Sequence, residues 1–205
     1  MSATVDAHLP FPRGTTLGIT DTTQFEHLEG KEYTIEDFNP STKVFRSGQK
    51  VTLRIVRNAA THVILPKRVV RFKDGAWGRE IDGYVTAGPT LHGVVADEYL
   101  PTAGVAVGDL FYVVVEGPAI HETAVDTLLG VITEGQHVVA ASTNVTSGNT
   151  KAGRVDALAL GEDVGSTTHQ TLNASKLQFY LGVAMSAKTS DNTAADILIN
   201  VRKRF

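Results

Sequence analysis

Cysteine is missing from the 205-residue chain. Its absence removes disulfides, thiolate zinc sites and cysteine nucleophiles together. Tryptophan occurs once and aromatic residues make up 7%, a poor supply for a groove that stacks on sugars or bases. Neither sign of charge dominates: 19 Lys and Arg stand against 22 Asp and Glu. No global field therefore draws nucleic acid or an anionic membrane. Long apolar runs are lacking as well, and nothing approaches the roughly 18 residues of a membrane helix. The opening "MSATVDAHLPFPRGTTLG" has no charged segment leading into an apolar one, so the expectation is a protein made in the cytoplasm with no membrane partner.

What is present points to β-structure. Valine and threonine are prominent and glycine occurs 19 times; the first two suit a pleated, half-buried surface, and glycine punctuates turns. The reading is a mainly β chain, a small antiparallel β-barrel or sandwich with an extended N-terminal arm. Residues 1–42 form the arm, because Leu9, Phe11, Leu17 and Ile19 are too sparse for a core of their own. Within it, "EHLEGKEYTIEDF" holds a helical turn or one strand around Tyr33 to Phe38, closed by Asn39-Pro40. Residues 43–205 form the β-domain. Val51, Leu53 and Ile55 alternate with Thr52, Arg54 and Val56, the period of a strand with one wet face. Asp74-Gly75 predicts a hairpin turn between Arg68–Phe72 and the segment around Trp77. "LHGVV", "LLGVI" and "YLGVA" each carry a glycine inside a strand phrase, the mark of a bulge or a close backbone approach. The small polar residues of 142–171 read as a flexible insert, interrupted by a short strand from Val155 to Leu160. The final strands are "SKLQFYLGVAM" and "AADILINVRKRF".

A search for chemistry finds little. The seven histidines, His8, His27, His62, His92, His121, His137 and His169, never fall at the i, i+4 spacing of helical metal ligation, so no metal or other cofactor is expected. There is no Gly-x-Ser-x-Gly elbow, Walker loop or dinucleotide fingerprint. The adjacent acids Glu36-Asp37, Asp97-Glu98 and Glu162-Asp163 read as loop charges, since strand neighbours point to opposite faces. The cations Lys67, Arg68, Arg71 and Lys73, beside Phe72 and Trp77, read as a charged strand face or a protected edge. No catalytic residue emerges, and an enzyme is not expected.

The second half carries a more specific pattern. "AGVAVGDLFYVVVEGPA", then "LLGVITEG", then "LGVAMSAKTSDNTAADILINV" resemble, over 91–205, the phrases of head-decoration (capsid cement) proteins of tailed bacteriophages. The resemblance implies a structural virion protein on the capsid surface. It would act as a homotrimer, with the major capsid protein as partner, and would stabilise the expanded shell by clamping neighbouring subunits. The arm anchors Leu9, Phe11, Leu17 and Ile19 are the expected capsid contacts. Another virion role, in tail or neck, and a β-barrel module for carbohydrate or nucleic acid are the alternatives; Trp77, Tyr84 and Tyr99 are the residues to test for the module.

The run Leu110 to Val115 raises a packing question of its own. Leu110, Tyr112 and Val114 face one side of a strand, and Phe111, Val113 and Val115 face the other. Both sides are apolar, so the second needs a cover. A neighbouring subunit, an arm or another sheet would supply it; the residues assigned to a subunit interface are Phe111, Val113 and Val115, and Glu116-Gly117-Pro118 is expected to end the pairing.

Overall fold

The computed structural model describes residues 9–18, 25–85, 93–123, 131–140, 153–157, 180–189 and 195–202. The anchor Ile19, the glycine of "LLGVI", most of the polar insert, the turn before the last strand and Lys203 to Phe205 lie outside them. The described residues form ten strands and one short 3-10 turn, Glu26–Leu28, with no α-helix among them. In chain order the strands are β1 (Glu32–Phe38), β2 (Phe45–Asn58), β3 (Val69–Phe72), β4 (Glu80–Tyr84), β5 (Gly93–Ala96), β6 (Leu110–Glu122), β7 (His137–Ala140), β8 (Val155–Ala157), β9 (Tyr180–Ala184) and β10 (Asp196–Val201).

Two long strands organise the rest. β2 and β6 pair antiparallel from Thr52↔Glu116 to Arg57↔Leu110. From that pair the chain closes a ring, β2-β4-β3-β5-β6 and back to β2, which is the expected barrel. Its closing contact is parallel, Arg57↔Glu80 and Asn58↔Ile81, against the antiparallel expectation. The second half of β6 leaves the ring and pairs with β10, from which β9, β7 and β8 continue the sheet. β1 adds to the outer half of β2, so the boundary expected at residue 42 falls inside a hairpin and not between an arm and a domain. Asn39 shapes that hairpin, its side-chain oxygen accepting from the N–H of Ser41 at 2.9 Å and of Thr42 at 3.2 Å.

β6 stays dry on both faces within one chain. Phe111, Val113 and Val115 pack inside the small barrel with Val56, Ile64, Val70, Phe72, Ile81 and Val105. Leu110, Tyr112 and Val114 face a second core built from Val51, Leu53 and Ile55 of β2 and from Ile197, Ile199 and Leu181 of β10 and β9. All three residues expected at a subunit interface are at most 1% exposed in the isolated chain. That expectation is corrected: this chain's own β2 to β5 cover the face, because the sheet curls far enough for β2 to meet β6.

Gly117-Pro118 changes the partner of β6 without ending the strand. Gly117 has φ +99, and a Cβ there would meet the Lys50 carbonyl. The strand turns away from β2 at this bulge, where proline's missing N–H is tolerated, and then pairs Pro118 with Asn200. The glycine of "YLGVA" has the close approach expected of it: a Cβ on Gly182 would overlap the Asn200 carbonyl of β10. Gly182→Ala should therefore cost about 1–3 kcal/mol through forced separation of β9 and β10. Chemical denaturation measures it, and an unchanged midpoint would mean that the two strands stand further apart.

Candidate functional site

The N-terminal segment folds onto its own chain. Leu17 exchanges both backbone hydrogen bonds with Leu110, at 3.0 and 3.1 Å, and so adds to the start of β6. Phe11 stacks on Tyr112 with ring centroids 4.4 Å apart, and the Tyr112 hydroxyl donates to the Phe11 carbonyl at 2.9 Å. Leu9 and Leu17 pack against the second core, and Phe11 is part of it. The anchors expected to seat on a capsid, apart from the undescribed Ile19, are thus engaged in cis. The physical reason is that β2 and β6 carry an apolar face at that end, which Leu9, Phe11 and Leu17 cover together with Leu28.

Arg13 locks this segment in place. Its guanidinium donates twice to Asp97, Nε to Oδ2 at 2.9 Å and Nη2 to Oδ1 at 3.1 Å, and once to the Phe38 carbonyl at 3.2 Å. The side chain lies over the Tyr99 ring, with Cζ 4.7 Å from its centroid. Gly14, at φ +84, turns the chain where a Cβ would strike the Tyr99 carbonyl. A second arginine continues the network. Arg46 donates to both oxygens of Asp37, at 2.8 and 2.9 Å, to the Pro118 carbonyl at 3.2 Å, and to Glu98. Ser47 donates to Asp37 at 2.8 Å, and the Ile120 N–H donates to Glu98.

The electrostatics follow from this count of charges. Two guanidiniums face three carboxylates, Asp37, Asp97 and Glu98, all buried. Burial works to lower the pKa of Arg13, but Asp97 and Glu98 more than offset it and the group is held above its ordinary value. Arg46 is raised in the same way, with Asp37 and Glu98 overcoming its burial. Glu98 carries the surplus negative charge: burial pushes it up, Asp97 adds to that, and Arg46 opposes. Tyr99 is pushed up to about 12, first by burial and then by Glu98. Every carboxylate here accepts from an arginine, and Asp37 and Glu98 also from Ser47 and the Ile120 N–H, so the cluster clasps the N-terminal segment, β1, β2, the turn after β5 and the second half of β6. Of the acids expected as loop charges, Asp97 and Glu98 do stand in the turn after β5 whereas Asp37 lies in β1, and all three are buried and ion-paired. Their partners stand up to 84 residues away in the chain, and no local pattern could announce them.

The other sequence candidates separate clearly. Lys67 pairs with Asp196, Arg68 with Glu122, Arg71 with Asp82 and Lys73 with Glu80, so each cation of the basic cluster has a carboxylate, as a charged strand face requires. Among the described residues no group of three or more His, Cys, Asp or Glu is placed to hold a metal ion. Tyr84 is tied down by its hydroxyl, which donates to the Val63 carbonyl at 3.2 Å and accepts from the Leu65 N–H at 2.9 Å. Tyr99 covers Arg13. Of the three aromatics proposed for ligand binding, Trp77 alone stands out into solvent, 89% exposed. With it, Val44 and Phe45 on the β1–β2 hairpin and Val107 in the turn before β6 are large exposed apolar side chains. Within β6, opposite Ile197 of β10, His121 is fully buried with both ring nitrogens unpaired. No protein-family model matches the chain, and no curated protein matches it in sequence.

Two measurements test this geometry. Arg13→Ala strands Asp97 without its partner and should cost about 3–5 kcal/mol of stability, read as a lowered denaturation midpoint; a loss below 1 kcal/mol would mean that the clasp is open in solution. Burial depresses His121 to about 3, against an ordinary value near 6.5. Between those values the unfolded chain takes up a proton that the folded one refuses. Stability should therefore fall by up to about 1.4 kcal/mol for each unit of pH below 6.5. His121→Leu should remove that part of the slope, whereas a slope identical to wild type would place the imidazole in contact with water.

Proposed function

We propose that this chain is a structural virion protein that binds the outer surface of a tailed-phage capsid, as a homotrimer, and clamps neighbouring subunits of the expanded shell. The observation that carries this reading is where the chain spends its polar groups and where it leaves apolar ones. The acids and arginines that could have formed a reactive site are paired with one another in the clasp, whereas Phe45, Trp77 and Val107 project from turns and strand ends. That distribution suits a protein that binds a surface and does no chemistry on it. The resemblance of 91–205 to head-decoration proteins supports the same reading. So does the closed ring of β2 to β6, a stiff body able to transmit load between two contacts.

The mechanism is mass action. A protein that binds the expanded lattice and not its precursor stabilises it by about 2.7 kcal/mol per site at a hundredfold excess over Kd, and a shell offers many sites. Since Leu9, Phe11 and Leu17 are held in cis, the capsid contact falls to the projecting turns. The exposed Trp77 also keeps a carbohydrate- or nucleic-acid-binding module in play as the second reading, though without a second free aromatic beside it among Tyr84 and Tyr99.

Purified chain mixed with expanded and with unexpanded shells should sediment with the first and stay behind with the second. Electron cryomicroscopy should then show copies spread over the whole surface. Copies confined to one vertex would assign the protein to neck or tail, and absence from both pellets would overturn the virion reading. Solution mass decides the trimer.

A further inference from the structure

The β3–β4 hairpin, 73–80, is built more stiffly than a connection needs. Its ends are joined by the Lys73 N–H donating to the Glu80 carbonyl at 2.9 Å and by the Lys73–Glu80 ion pair at 2.6 Å. Inside it, the Ala76 N–H donates to Lys73 at 3.2 Å and the Arg79 N–H to Ala76 at 3.0 Å. Gly75 and Gly78 adopt φ +76 and +74, and Trp77 between them is also left-handed, at φ +52. Gly78 lies against Arg54 and Phe72, so the loop is seated on β2 and β3.

A bulky side chain in the left-handed region carries a conformational cost that glycine or asparagine would avoid. Large residues held so within a fold are ordinarily compensated by burial. Trp77 is 89% exposed, so the chain's own packing gives little back. Strain of this kind, held by the surrounding structure, is found at contact sites. A tryptophan on a preorganised loop has the composition of an interface hot spot, since it carries large contact area with little left to order on binding.

We infer that Trp77 is the anchor of a protein–protein contact and inserts into a dry apolar pocket of the partner; resting on the reading above, that partner is the capsid protein of the expanded shell. The surroundings of the tip favour a protein over other occupants. Lys73, Arg71 and Arg54, in the hairpin and beneath it, are matched by Glu80, Asp82 and Glu32, and Arg79, which donates to the Ala76 carbonyl at 3.3 Å, shares the loop with the acid Asp74. A phosphate backbone would find little uncompensated positive charge there. A sugar would need hydrogen-bonding groups beside the ring, and of the loop's polar side chains Lys73 and Glu80 bond to each other and Arg79 to the Ala76 carbonyl. A neutral rim around one projecting apolar side chain is the arrangement of a hot spot and its surrounding seal.

The position makes the test direct, because Trp77 is the only tryptophan in the chain. The full-length protein with 5-hydroxytryptophan at that position can be excited apart from the shell's own tryptophans. On titration with expanded shells its emission should shift to the blue and become resistant to acrylamide. Trp77→Asn, which tolerates the left-handed backbone, should keep the thermal midpoint yet bind shells at least tenfold more weakly, with little dependence on salt. Shell binding by Trp77→Asn equal to wild type, or an indole that stays quenchable in the complex, would overturn the inference and leave the decoration reading standing. A wild-type protein that binds no shells would remove both, and binding to neutral lipid vesicles or glycan arrays lost in Trp77→Asn would replace the protein partner with that ligand.

Discussion

A strand that is apolar on both faces must be covered twice, and most of this architecture follows from how β6 meets that demand. One set of its side chains closes the inside of a five-stranded ring, and the other forms the floor of a second core beneath β9 and β10. No second molecule is needed for either. The consequence is that β2, which pairs with β6 along Thr52 to Arg57, is also drawn between the two cores. Val51, Leu53 and Ile55 turn to one and Val56 to the other. The two strands are therefore the shared wall of the molecule, and the shorter strands are arranged around them.

The N-terminal segment and the arginine clasp are secondary to that wall. Where β2 and β6 present apolar surface beyond the reach of the sheet, Phe11, Leu17 and Leu28 cover it. Bringing Arg13 with them requires burying a guanidinium, which is tolerable only with its hydrogen bonds satisfied. Asp97 and the Phe38 carbonyl satisfy it, and Arg46 does the same for Asp37 and Glu98 on the other side. Such an ion network adds less stability than its number of contacts suggests, because desolvation offsets most of the attraction. What it does set is geometry: only one register of the N-terminal segment on β6 brings Arg13 to Asp97.

Projecting apolar side chains are left on turns and strand ends, at Val44, Phe45, Trp77 and Val107. Val44, Trp77 and Val107 stand outside the strands and Phe45 at the first residue of β2, so none of them opens a core to solvent.

Much of the fold was legible in local pattern. The period of Val51 to Ile55, the Asp74-Gly75 turn, the short strand at Val155 and the glycine of "YLGVA" are decided by backbone geometry over a few residues, and the structure has each of them. The two dry faces of Leu110 to Val115 were equally readable, since alternation alone assigns them. What covers each face was not readable, because that depends on how far the sheet curls before β2 meets β6. The burial of Asp37, Asp97 and Glu98 was hidden for the same reason: a carboxylate in a polar stretch looks the same whether its counter-ion is water or an arginine 84 residues away. Strands, turns and the faces that had to be dry follow from local pattern in the chain. Which surfaces meet does not, since curvature and long-range ion pairing are properties of the assembled sheet and of no segment within it.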